Sequence, residues 1–139
     1  MLTFYFSSAQ IVVVDDDLET EIEVINPVPF EVIAEVPIFP GCEGLSKSEK
    51  KDCFSKNLNE FIFQNLQPVK DESGKILEGR VYSIFTIDLE GQLTDIRVRG
   101  PHKLMEEEVV RVLNTITKVE PGKDKGEIVE TIYSLPISF

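Results

Sequence analysis

Few side chains in this chain could do chemistry: two cysteines, Cys42 and Cys53, one histidine, His102, and the run Glu106-Glu107-Glu108. A thiol beside an imidazole is the start of a nucleophilic site, but it also needs a third group to orient the base and an oxyanion site, and neither can be located. A structural zinc site needs four ligands where only three Cys or His candidates exist. The three glutamates tempt towards metal or acid/base work. Carboxylates early in a helix are more simply explained by the macrodipole, which favours them there while they keep an outer face wet. Ten residues separate Cys42 from Cys53. A bridge between them would staple the start of the domain to its first helix, and closing a loop of that size is worth about 3 kcal/mol. Two buried reduced thiols are the alternative. No Gly-rich phosphate loop, G-x-S-x-G elbow or H-E-x-x-H appears, so no motif supports an enzyme or a cofactor.

The elements that must position these residues start near Phe30, where the run 30–34 reads as a strand and Pro37 and Pro40 then force an extended path into a turn at Gly41. Ser46 and Glu49 have the spacing of a capping box. Phe54, Leu58, Phe61, Ile62 and Leu66 follow at helical spacing, with Phe63 off the stripe, and Pro68 and Gly74 end the helix. Residues 81–88 and 94–98, rich in β-branched and aromatic types, predict a hairpin turning through 89–92, where Gly91 supplies a positive φ. Val81, Ser83, Phe85 and Ile87 are its expected core face. A second helix is expected over 102–115, with Leu104, Val109, Val112, Leu113 and Ile116 inward. Pro121-Gly122 and residues 123–126 form a turn into a final strand ending EIVETIYSLPISF, in which Pro136 suits an edge and would spoil a central position.

Order then constrains topology. The second helix carries the chain back across the sheet, so the last strand runs antiparallel to the first strand of the hairpin and lies beside it. This predicts an α+β fold: a three-stranded antiparallel sheet of order 2-1-3 with two helices packed on one face and the C-terminal strand at an edge. An edge strand offers unpaired backbone groups, a hazard in a free protein and a peptide-binding device in a recognition module.

Composition agrees with a binding module rather than a nucleic-acid or membrane-spanning protein. The 139 residues are 42% hydrophobic, enough for one core of ordinary size. The net charge is −11, but residues 1–36 hold eight Asp or Glu and no Lys or Arg, leaving 17 acidic against 14 basic residues in the remainder. Phosphate backbones need a basic face that this balance does not favour. No run approaches the roughly 20 apolar residues of a membrane span. MLTFYFSSAQ lacks the basic start and apolar length of a signal peptide. Residues 1–29, with Asp15-Asp16-Asp17 and then Glu19, Glu21 and Glu23 among apolar neighbours, read as an acidic extended linker, and 30–139 as the domain.

At this point the ordered blocks VPIFPGCEG (36–44), KKDC (50–53), EGRVYSIFTIDLEGQLTDIRVRGPH (78–102) and EEEVVRVLNTITKVEPGKDKG with YSLPISF (106–139) resemble the C-terminal domain of TonB energy transducers, in a form frequent among Bacteroidetes-type proteins that carries both cysteines. The resemblance implies a periplasmic domain of an inner-membrane-anchored protein, driven by the ExbB and ExbD complex and passing force to TonB-dependent outer-membrane transporters for active import. It implies that the transporter's TonB box peptide adds as a strand along the last strand, carried over here to Ile128, Val129, Glu130, Thr131, Ile132, Tyr133, Ser134 and Leu135. An oxidising periplasm also favours the bridged reading of Cys42 and Cys53. The chain departs from the family pattern at Gln67-Pro68, where many members have Tyr-Pro, and at Val119, often an aromatic. Two alternatives remain: an adaptor or sensor using the same edge for another periplasmic protein, and self-pairing, by residues 30–34 or by a second copy's terminal strand.

Overall fold

The computed structural model describes residues 10–13, 22–25 and 27–139. Gln10–Val13 (β1) and Ile22–Ile25 (β2) form an antiparallel pair. The rest of the stretch expected as an acidic linker, up to residue 26, lies outside the described residues.

Val28–Pro29 (β3) is the first strand of the main sheet. The strand expected at 30–34 is instead a turn, because the N–H groups of Val32 and Ile33 both donate to the Pro29 carbonyl at 3.1 Å. Lys47–Asn65 (α1) starts on the expected capping box: Ser46 Oγ accepts from Glu49 N at 3.3 Å, and Ser46 N donates to Glu49 Oε1 at 3.1 Å. Phe54, Leu58 and Ile62 are its buried stripe, while Phe63 is 85% exposed.

Arg80–Ile87 (β4) and Leu93–Arg99 (β5) form the hairpin. Asp88 Oδ1 accepts from Glu90 N and Gln92 N at 2.9 Å each, and Gly91 has φ 85°. Glycine is required there on a second count, since a Cβ would lie 1.7 Å from the Val119 carbonyl oxygen. Val81, Ser83, Phe85 and Ile87 are buried as expected. A register shift falls between Ile84 and Thr86, where β5 carries one extra residue and Asp95 sits at φ 51°. Such a bulge re-aims the side chains beyond it. Arg97 and Arg99 therefore stand opposite Ile84 and Tyr82 on the exposed face.

Lys103–Leu113 (α2) buries Met105, Val109, Val112 and Leu113. Leu104, expected in this stripe, is partly exposed; the helix begins after His102, whose Nδ1 accepts from Leu104 N at 3.0 Å, and that phase turns Met105 inward. Glu108 accepts from Arg111 Nη2 and Nε at 2.7 and 2.9 Å and from Gln67 N at 2.8 Å, tying α2 to the end of α1. The bonds from Arg111, helped by the Gln67 amide, hold the Glu108 carboxyl below its ordinary range against the opposing effect of burial.

The last third departs from expectation. The run expected as one strand is broken at Glu130: Glu127–Val129 (β7) turns back on Gly122–Asp124 (β6) through Lys125 and Gly126, both at positive φ, and only Thr131–Ser138 (β8) joins the main sheet. The sheet is also not three-stranded and antiparallel. It is four-stranded and mixed, of order β3-β8-β4-β5, because β3 pairs parallel to β8 at Thr131 and Ile132. The antiparallel part, β8-β4-β5, keeps the expected 2-1-3 order. Both helices share one core with the inward side chains of β4 and β8, among them Phe85, Tyr133, Leu135 and Ile137.

Candidate functional site

Pro136 fixes which backbone groups of β8 are available. It lies opposite Tyr82 on β4 and has no N–H, so it belongs to a pair that exchanges no ladder bond. By the alternation of an antiparallel ladder, Thr131, Tyr133, Leu135 and Ile137 direct their backbone groups to β4, whereas Ile132, Ser134, Pro136 and Ser138 direct theirs outward. Two bonds agree with this parity: Phe139 N donates inward to the Gly79 carbonyl at 2.8 Å, and the Ile132 carbonyl accepts from Phe30 N on the other side at 2.9 Å.

The outer edge thus has two halves. Its first half is taken by the chain itself, with Val28 N donating to the Glu130 carbonyl at 2.8 Å and Phe30 N to Ile132. Phe30 anchors this cover. It is 4% exposed, with its ring centroid 4.8 Å from Tyr133 and 5.1 Å from Phe54, and Lys51 Nζ donates to the Glu31 carbonyl at 3.0 Å. Tyr133 reaches through the core to bond Ser55 at 3.0 Å, and burial raises its phenol above the ordinary value. Beyond Phe30 the chain turns away. Among the described residues nothing pairs with the outward groups of Ser134, Pro136 and Ser138.

Two grooves flank the open half. On the helix side Phe63, Leu66, Pro68, Ile76 and Phe139 line a space of about 310 Å³ that reaches Ser138. On the helix-free side Tyr82, Ile84, Pro136 and the arginines of β5 line another of about 540 Å³.

The eight residues carried over from the family fall in different settings. Ile128 and Val129 lie in β7, paired with β6. Glu130 links the strands; burial raises its carboxyl above the ordinary range, and Asp88, Asp95 and Glu90 push the same way. Thr131, Tyr133 and Leu135 are buried, Ile132 is half-buried and capped by β3, and Ser134 is exposed at the open edge. Pro136 was expected at an edge from the sequence, but the range carried over from the family stops at Leu135 and so leaves out the outward groups of Pro136 and Ser138. Self-pairing of the edge by residues 30–34 was among the expected alternatives; the segment that pairs is Val28–Pro29 together with the Phe30 amide, and for Val28 no local signal exists.

Cys42 and Cys53 form a disulfide with Cα atoms 6.0 Å apart, joining the loop before α1 to the helix, and Asn57 Nδ2 donates towards both sulfurs at 3.2 and 3.4 Å. Among the described residues no group of three or more His, Cys, Asp or Glu side chains is placed to hold a metal ion, and no helix is long and apolar enough to cross a membrane.

Residues 73–139, which span β4, β5, α2 and the open edge of β8, match the family described as Gram-negative bacterial TonB protein C-terminal. This part of the chain is a TonB C-terminal domain. No curated protein matches the sequence. Domains of this family are periplasmic and transport-related, and the strand edge and grooves described above are the candidate binding surfaces of this one.

Proposed function

We propose that this TonB C-terminal domain docks an extended peptide, the TonB box of an outer-membrane transporter, by strand addition to the open half of β8, and passes to it a pull that originates at ExbB and ExbD in the inner membrane. The observation that supports this reading is the run of outward backbone groups at Ser134, Pro136 and Ser138, left without a partner among the described residues in a protein of this family. A backbone ladder suits such a role because it recognises an extended strand whatever its sequence, while alternate side chains select the partner. Side chains of an added strand that point to the helix layer would enter the groove beside Phe63 and Ile76. The self-paired first half sets the limit, so the docking ledge is residues 134–138 and the incoming strand abuts the turn after Phe30.

The test is an NMR titration of labelled protein with peptides from the N-termini of outer-membrane transporters. Shifts should concentrate at residues 134–138. Ser134→Pro and Ser138→Pro each delete one outward N–H; losing one hydrogen bond of about 1 kcal/mol weakens binding about fivefold. Unchanged affinity in both variants with the fold intact would move docking elsewhere, and silence across the peptide panel would favour an adaptor for another periplasmic protein.

A further inference from the structure

The end of the helix-free face around Tyr82 and Ile84 has a charge opposite to that of the chain, whereas Asp88, Glu90, Asp95 and Glu130 gather towards the hairpin turn. The net charge is −11, yet three of the four arginines, Arg80, Arg97 and Arg99, lie on this face. The cross-strand rows are Arg99 opposite Tyr82 opposite Pro136, and Arg97 opposite Ile84 opposite Ser134, with Arg80 next along β4 from Tyr82. Tyr82 is 58% and Ile84 39% exposed, so an apolar stripe runs between the cations. Asp95 pairs with Arg97 at 2.9 Å, and among the described residues it is the one carboxylate bonded to any of the three. Glu78 lines the opposite groove instead.

From this we infer that the helix-free face is a second docking surface, independent of strand addition at β8, for an acidic extended segment of a partner protein with an aromatic or aliphatic residue among its carboxylates. Guanidinium forks pair with carboxylates in two-bond geometry, which an ammonium does not reproduce. Side chains two apart on a strand repeat every ~6.5 to 7 Å, which sets the spacing of Arg97 to Arg99 and of Tyr82 to Ile84 and matches alternate residues of an extended peptide. A slender segment reaches these cations locally. An anionic membrane would bring its whole surface against a strongly acidic protein and be repelled. The bulge at Asp95 is what creates the surface, since it turns Arg97 and Arg99 to the same side as Tyr82 and Ile84.

Fluorescence anisotropy of the full chain with a short labelled Asp-rich peptide containing one Phe, and with its Lys counterpart, tests the inference. The acidic peptide should saturate, lose affinity as salt rises, and shift the amides of Tyr82, Ile84 and Arg99; the Lys peptide should not bind. Arg80→Glu with Arg99→Glu should lower affinity for the acidic peptide at least tenfold and admit the Lys peptide, with circular dichroism and Tm of the charge-reversed protein matching the parent; Arg80→Lys with Arg99→Lys should keep the salt dependence but bind more weakly than the parent. Ser138→Pro should leave this binding unchanged while weakening transporter-peptide docking, so the two readings fail separately. The inference is overturned if the acidic peptide does not saturate, if the charge-reversed protein binds it equally, or if only anionic phospholipid vesicles bind.

Discussion

Replacing Phe30 by alanine should cost this protein more stability than its position just after a proline in an irregular segment suggests. The ring is 4% exposed and packs edge-on against Tyr133 and tilted against Phe54, with Lys51 Nζ 5.8 Å above it. Emptying such a site typically costs about 3 to 5 kcal/mol through lost transfer energy and the cavity left behind. The same side chain holds β3 on β8, and the two bonds from Val28 N and Phe30 N add about 1 kcal/mol each if the segment detaches. For a chain of this length each kcal/mol moves Tm by about 4 °C, so a loss of about 4 kcal/mol lowers Tm by about 15 °C. Thermal and urea unfolding followed by circular dichroism measure the loss, and amide exchange at Ile132 reports whether β3 has left the edge. A drop of less than about 1 kcal/mol would refute the reasoning, because it would mean that the segment before α1 is an attachment and not part of the core.

The disulfide offers a second test: Cys42→Ser with Cys53→Ser should lower unfolding free energy by about 3 kcal/mol, with reductant reproducing the loss in the parent protein and changing nothing in the variant. Glu130 offers a third, through pH. Its carboxyl is raised in the folded state, first by burial and then by Asp88, Asp95 and Glu90, so the native state holds its proton more tightly than the unfolded state. Stability at this site is therefore highest below the unfolded pKa and falls as pH rises through the folded one. Glu130→Gln should raise Tm at neutral pH and leave it unchanged at about pH 3, where both states carry the proton; an equal gain at both values would exclude ionisation as the cause.

Much of this architecture is local in origin and was legible in the residues. The capping box at Ser46 and Glu49, the Phe54-Leu58-Ile62 stripe, Gly91 in its turn and the alternation through Val81, Ser83, Phe85 and Ile87 each depend on neighbours within a few positions, where side-chain spacing and backbone preference act directly. The order of β5, β4 and β8 followed from chain direction and a crossover helix. Pairing between segments far apart in sequence has no such local signature. Val28 lies beside Thr131 because Phe30 finds its cavity between Phe54 and Tyr133, and that contact decided both the parallel fourth strand and which half of the β8 edge stays open. The bulge at Asp95 was likewise settled by fitting β5 to β4, and with it the face on which Arg97 and Arg99 stand. Residue types and spacings were enough for most elements, their order and the family. Packing between distant segments, a sum over contacts that no short window contains, settled where the sheet offers an edge and where it offers charge.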